Sequence, residues 1–312
     1  MESNTLTPKQ TRQVTYAPSA VIYSGVEAEG ISVVLPAFNE EEGITGTLDT
    51  LHRHLQHSGL TYEVIIVNDG STDGTGEMLR ARRDIRLIAH DRNRGYGAAL
   101  KTGIRHAKYP LIVITDADGT YPNDRIPHLV SLAAEADMVV GARIGQNVDY
   151  PFIRRVPKWF LVRFAEWVAR RRIPDLNSGL RVLRKDVVER FLNILPDTFS
   201  FTTTITLAML TKHYIVHYEP VDYYQRLGKS KIRAVRDTLQ FVQLIIRTGI
   251  YFAPLRVFLP VAMGFFLGFL ITLSHDIFFD KNLTDKTLIL LVASTQLGMF
   301  ALLADMLDKR VD

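Results

Sequence analysis

The sequence predicts an α/β domain on a mostly parallel, Rossmann-like sheet, followed by a C-terminal pair of membrane-spanning helices. Three observations predict it. Short runs rich in Val and Ile alternate with longer helical segments between residues 31 and 143. Polar residues gather where those runs stop. Two uncharged stretches, 257–273 and 287–304, lie near the end of the chain.

The runs are "ISVVLP" (31–36), "YEVIIVND" (62–69), "IRLIAHD" (85–91), "PLIVITDAD" (110–118) and "ADMVVGAR" (136–143). Consecutive apolar positions rich in β-branched residues suit strands covered on both faces. Segments such as "EEGITGTLDTLHRHLQHSG" and "GYGAALKTGIRHAKY" between them have helical spacing. Strand, helix and strand joined by short links make a parallel sheet with right-handed crossovers. Such sheets bind ligands beyond the carboxyl ends of their strands. Asn68, Asp69, Asp116, Asp118 and Arg143 all fall there.

The chain of 312 residues is long enough for one large or two smaller domains. A net charge of +4 suits an anionic substrate or membrane surface and is too small to argue for nucleic acid. With no Cys there are no disulfides and no thiolate ligands, in keeping with a reducing compartment. Residues 1–28 read as a polar tail, and no secretory signal is expected in the first thirty residues. The expected division is a catalytic domain over 29–228, an amphipathic juxtamembrane helix over 229–250, and a hairpin over 251–312.

A membrane-spanning helix needs about 20 apolar residues, which both late stretches approach; the competing reading is a pair of buried core helices. Arg233, Arg236, Arg247 and Arg256 precede the first stretch, and Lys309 and Arg310 follow the second. The connector "HDIFFDKNLTDK" has more acid than base. The positive-inside rule then puts the catalytic domain and both termini in the cytoplasm. The segment "SKIRAVRDTLQFVQLIIRTGIYF" reads as an interfacial helix whose Lys and Arg residues favour anionic headgroups.

Asp116 and Asp118 end an apolar run, and carboxylates at i and i+2 of an extended segment share a face. Mg²⁺ takes one or two such oxygens together with substrate phosphates. In "VNDGSTDGT", Asp69 can accept from a base or ribose, while Ser71, Thr72 and Asp73 can cap the next helix. Glu40, Glu41 and Glu42 suit the first turn of a helix. Gly95 and Gly97 invite a dinucleotide reading, but the third glycine of that fingerprint would fall at Leu100. "LGKSK" lacks the upstream glycine of a phosphate loop.

Seven motifs in order, "VVLPAFNEEEGI", "VIIVNDGSTDGT", "NRGYGAALKTGI", "TDADGTYP", "VVGAR", "NSGLRVLRK" and "RLGKSK", resemble the family 2 glycosyltransferases of the GT-A fold. More narrowly they resemble the polyisoprenyl-phosphate glycosyltransferases, among them the dolichyl-phosphate mannose synthases, several of which carry a two-span tail. The resemblance covers roughly residues 31–236. It implies an inverting, metal-dependent transferase using Mg²⁺ or Mn²⁺. The donor would be a nucleotide-diphosphate sugar and the acceptor a polyisoprenyl phosphate, with self-association left open. Pro36, Phe38, Glu40 and Asp69 would line the nucleotide, with Asp116 and Ala117 beside the ribose and diphosphate. Asp118 would ligate the metal; Arg143, Arg226 and Lys231 would hold the diphosphate and lipid phosphate, and Arg155 would contact the acceptor phosphate. Thr120 stands where many relatives have Gln, and "NSGLR" departs from the mannose-synthase pattern, so the sugar is not carried over. Two rival readings remain at this level. One is transfer to a glycan hydroxyl, with Asp175 as general base. The other is a non-catalytic nucleotide-sugar or lipid binder.

Overall fold

The computed structural model describes residues 30–144, 162–224, 247, 249–251 and 253–308. The tail, most of the juxtamembrane segment, and Arg155, Arg226 and Lys231 lie outside the described residues.

The expected strands form as β1 (Ile31–Ala37), β2 (Tyr62–Asn68), β3 (Arg86–Ala89), β4 (Leu111–Ile114) and β5 (Met138–Arg143). Between them lie α1 (Ile44–His57), α2 (Thr75–Arg80), α3 (Tyr96–His106) and α4 (Ile126–Leu132). A helix α5 over 162–169 follows, then β6 (Arg181–Arg184), α6 (Lys185–Phe191), α7 (Phe201–Thr211) and β7 (Val216–Val221).

The sheet order is β3-β2-β1-β4-β6-β5-β7. All neighbours are parallel except β6, which runs antiparallel to both β4 and β5. Because β6 runs backwards, its first residue, Arg181, pairs with Ile114 and Val140 near the carboxyl ends of β4 and β5. The loop that precedes β6 therefore reaches the rim where the strand-end carboxylates sit.

The inner strands β1, β2, β4, β5 and β6 are largely buried on both faces, as consecutive apolar positions require, while the edge strands β3 and β7 are partly exposed. Val33, Leu35, Ile66 and Val113 meet Leu48, Leu51 and Leu55 of α1 on one side. Val34, Ile65, Ile112 and Ile114 meet Leu100 and Ile104 of α3 and Phe201 and Ile205 of α7 on the other.

Three local expectations change. β4 stops at Ile114, and Asp118 lies in a turn with Gly119 at φ +71°, so the two carboxylates are not on one extended segment. The helix after β1 starts at Ile44, so the three glutamates precede it and do not load its first turn. Asp73 accepts from the Thr75 amide at 3.0 Å beside α2, but Ser71 and Thr72 bond to Asn39 across the rim.

The uncharged stretches become α8 (Pro254–His275) and α9 (Asp285–Asp308), antiparallel neighbours. At about 1.5 Å per residue each is long enough for a hydrocarbon core of about 30 Å. Small residues, Ala262 and Ala301, are buried, and Phe258 meets Phe300 edge-on at 5.1 Å. Met263, Leu267, Ile271, Ile289 and Met299 are exposed. Core helices would hide these side chains, so the buried-helix reading fails; a two-span membrane hairpin explains them.

Candidate active site

The carboxyl rim of β1, β2, β4 and β5 and the loop before β6 together build one site. Asp116 Oδ1 accepts a hydrogen bond from Tyr96 Oη at 3.0 Å. Burial, and secondarily the Asp116 charge, push the Tyr96 phenol well above its ordinary range, so it remains a donor. The other Asp116 oxygen lies 2.7 Å from where a side chain on Gly179 would begin. Glycine is what lets the β6 loop close over the carboxylate. Asp118 is 7% exposed; its Oδ1 accepts from Thr120 Oγ1 at 2.6 Å and from the Thr120 amide at 3.2 Å. Thr120 is fully buried and orients the Asp118 carboxylate. Among the described residues no three His, Cys, Asp or Glu side chains form a ready-made metal cage. A buried, oriented carboxylate among oxygen donors suits a hard cation whose remaining ligands come from substrate and water.

Arg143, at the end of β5, forms a forked pair with Asp175: Nε to Oδ2 at 2.7 Å and Nη2 to Oδ1 at 2.9 Å. The Arg143 amide also donates to Oδ2, and the Asn177 amide to Oδ1. Burial alone would raise the Asp175 carboxyl, but the Arg143 guanidinium and these amides hold it below the ordinary carboxylate range. Arg143 also lies over the Tyr223 ring at 5.2 Å. Tyr223 packs edge-on against Tyr121, whose Oη accepts from the Gly179 amide at 2.6 Å. Sequence reasoning missed Arg181, which is fully buried beneath this loop. It donates to the Ser178 carbonyl at 2.8 Å, the Leu176 carbonyl at 3.1 Å and Thr206 Oγ1 at 2.7 Å, fixing the loop that carries Gly179. A charge inside an otherwise apolar run was its only signal.

On the β1–β2 side, Pro36, Phe38 and Glu40 are half-buried at the rim, and Ala117 is buried. Asp69 is 3% exposed. Its Oδ1 takes His90 Nδ1 at 2.7 Å and the Arg94 amide at 2.9 Å, and its Oδ2 takes the Gly95 amide at 2.8 Å. Asp69 thus shapes the 90–95 loop, which borders an open cavity of about 490 Å³ lined by Ala89, His90, Asp91, Arg92 and Arg94. His90 and the two arginines were not singled out in the sequence. The glycines of "NRGYG" have a different explanation from a nucleotide. Side chains at Gly95 and Gly97 would begin 2.3 Å and 2.1 Å from the carbonyls of Asp197 and Pro196. The chain itself crosses there, so the dinucleotide reading fails.

Residues 32–192 match the family described as "Glycosyl transferase family 2". The chain belongs to glycosyl transferase family 2. This family 2 transferase also matches the "GtrB C-terminal hairpin" over residues 253–309. It is 30% identical over 232 residues to an undecaprenyl-phosphate 4-deoxy-4-formamido-L-arabinose transferase of Yersinia pestis (strain Pestoides F), covering 72% of this chain and 69% of that protein. The Proteus mirabilis (strain HI4320) protein of the same name is 31% identical over 187 residues, covering 55% and 57%. Among solved structures, the mannosyl-3-phosphoglycerate synthase of Rubrobacter xylanophilus aligns with TM-score 0.56 at 16% identity, over 70% of this chain and 72% of that one. The glucosyl-3-phosphoglycerate synthase of Mycobacterium tuberculosis, with Mn²⁺, uridine diphosphate and phosphoglyceric acid, aligns with TM-score 0.55 at 19% identity, over 70% and 78%. These two likenesses establish the GT-A fold.

Proposed function

We propose that this chain transfers one sugar, with inversion, from a nucleotide-diphosphate donor to a polyisoprenyl phosphate at the cytoplasmic membrane face. The observation that carries the reading is the joining, in one chain, of a family 2 catalytic domain to a hairpin whose apolar surface is exposed. The names of the relatives support the lipid acceptor. The GT-A neighbour holding Mn²⁺ and uridine diphosphate supports the donor class and the metal.

In this reading Pro36, Phe38, Glu40, Asp69 and Ala117 border the nucleotide, and Asp116 the ribose and diphosphate. Asp118 would hold Mg²⁺ or Mn²⁺, which when bound would supply positive charge against the leaving diphosphate. Arg143, kept in place by Asp175, adds fixed positive charge beside it. Arg226 and Lys231 take phosphate charge, and Arg155 meets the acceptor. A phosphate monoester has its second pKa near about 6, so this nucleophile arrives ionised and needs no general base. Asp175 fits that requirement: both its oxygens are already engaged by Arg143, which disfavours the glycan-hydroxyl reading that needed it as a base. Basic flanks and an acidic connector put both termini in the cytoplasm.

Membranes carrying the protein, incubated with a panel of labelled nucleotide sugars, should render one label extractable into organic solvent as a lipid-linked monosaccharide. Label recovered only in water-soluble glycan, or no transfer from any donor, refutes the reading.

A further inference from the structure

Helix α5 ties the catalytic domain to the membrane hairpin. Its inner residues Ala165 and Ala169 pack with Leu207 and Leu210 of α7. The Val168 carbonyl accepts from Arg256 Nη1, in the first turn of α8. Phe164 and Val168 lie 3.3 and 3.4 Å from where a side chain on Gly249 would begin. The helix is thereby held level with the start of the first span, the depth at which headgroups meet hydrocarbon.

Its outer face carries an open depression of about 440 Å³ lined by Arg163, Glu166, Trp167, Arg170, Arg171 and Arg172. Four cations face one acid, and that acid is already used. Glu166 takes Arg163 Nη1 at 3.0 Å and the Ile173 amide at 3.2 Å. Arg170, Arg171 and Arg172 are exposed, and among the described residues no carboxylate pairs with them. Arg170 also repels Arg256. Trp167 is 47% exposed beside them. Three unpaired guanidiniums with an exposed indole, at the depth of the membrane surface, lack only an anionic counterpart.

We propose that this face docks anionic phospholipid headgroups, with Arg170, Arg171 and Arg172 on the lipid phosphates and Trp167 at the headgroup boundary. Guanidinium forks match phosphate oxygens, and indole rings favour this boundary. The proposal concerns the bulk lipid around the protein; it rests on the hairpin lying in a bilayer and not on the transfer reaction.

The chain has two tryptophans, so Trp159→Phe leaves Trp167 as the sole tryptophan, excited selectively at the red edge of the absorption band where tyrosine does not absorb. The full chain carrying that change is reconstituted in phosphatidylcholine vesicles. These contain an equal mole fraction of either brominated phosphatidylglycerol or brominated phosphatidylcholine. A basic residue near an anionic surface is worth about fivefold in local concentration, so after screening the anionic quencher should be at least about twofold more effective. Raised salt should abolish the difference. Arg170→Gln/Arg171→Gln/Arg172→Gln should abolish it too, and the corresponding triple Lys variant should keep it. Equal quenching by the two lipids, a preference that salt does not reduce, or a preference surviving the Gln variant overturns the proposal. The salt titration of the parent decides the matter if the Gln variant does not reconstitute. A preference that arises only on adding polyisoprenyl phosphate overturns it as well, and gives the face to the acceptor.

Discussion

Replacing Asp175 by Asn separates two roles for the same carboxylate. The pair it forms with Arg143 has side-chain exposures of 9% and 15%, so solvent screens it little. The substitution keeps one acceptor oxygen and the shape but removes the charge. It costs one arm of the forked pair and leaves the Arg143 charge without its anion. Charge-assisted hydrogen bonds are worth about 1.5–3 kcal/mol, and breaking a fully buried pair about 3–5 kcal/mol. For a pair at the edge of the site, with one arm retained, we expect a loss of about 2 kcal/mol in denaturant unfolding of the solubilised protein. Because the Asp175 carboxyl is held below its unfolded value, its stabilisation is full above about pH 4 and is lost as pH falls through the depressed folded value. The difference between parent and variant should therefore shrink on acidification. In steady-state assays the donor KM should rise while kcat falls less than about tenfold, below the 10²–10⁴ range of a lost general base. A kcat loss inside that range with unchanged donor KM and unchanged stability would refute the ion-pair role and revive the hydroxyl acceptor.

Asp118→Asn should remove more than about 99% of transfer while the unfolding curve stays put, measured with Mn²⁺ and with Mg²⁺ in excess; full activity in chelator would exclude a metal role. Thr120→Val removes one bond to Asp118 and should raise the metal concentration for half-maximal rate about tenfold, equivalent to about 1.4 kcal/mol. Gly179→Ala places a methyl 2.7 Å from Asp116 Oδ2 and should destabilise by about 1–3 kcal/mol and cut transfer, with Tyr121→Phe milder in both assays. A cysteine introduced at Asn282 should react with an impermeant thiol reagent from outside intact cells, and one at Ser71 should not; the reverse pattern overturns the orientation.

Much of the sheet was legible because strands covered on both faces write themselves as continuous Val and Ile runs. β1, β2, β4 and β5 are of this kind; β3 was legible from its short apolar run although it is a partly exposed edge, and both membrane helices from their long uncharged stretches. β6 was not, because Arg181 at its start and Arg184 at its end leave only two apolar residues between them, too short a run to read as a core strand. β7, "VHYEPV", alternates with Pro220 in its interior, as an edge strand can. In the site, Asp116 and Asp118 were visible because carboxylates ending an apolar run are conspicuous. The support around them was not. Tyr96, Gly179 and Arg181 reach the rim from 20 to 65 residues away in sequence, through a crossing and a reversed strand that periodicity does not encode.

The reversed strand also has a consequence for how the chain folds. β4 and β5 are successive strands, yet they are not neighbours; each pairs with β6. Until residues 181–184 arrive, the first five strands are two unconnected pieces, β3-β2-β1-β4 and β5, each with an open edge; β7, which pairs with β5, follows β6 in the chain. Non-local closure of this kind is slow, and open edges invite pairing with other chains. On the ribosome, the β4 edge stays unpaired while about 70 further residues are made, some seconds at ordinary synthesis rates. Insertion of β6 would then join β5 to the first piece and deliver Gly179 to Asp116 in the same event, with β7 left to add at the far edge. In refolding followed by pulsed hydrogen exchange, the amides of β4 and β5 facing β6 should gain protection together, after those of β1 and β2. Protection of β5 ahead of β6 would argue against this order.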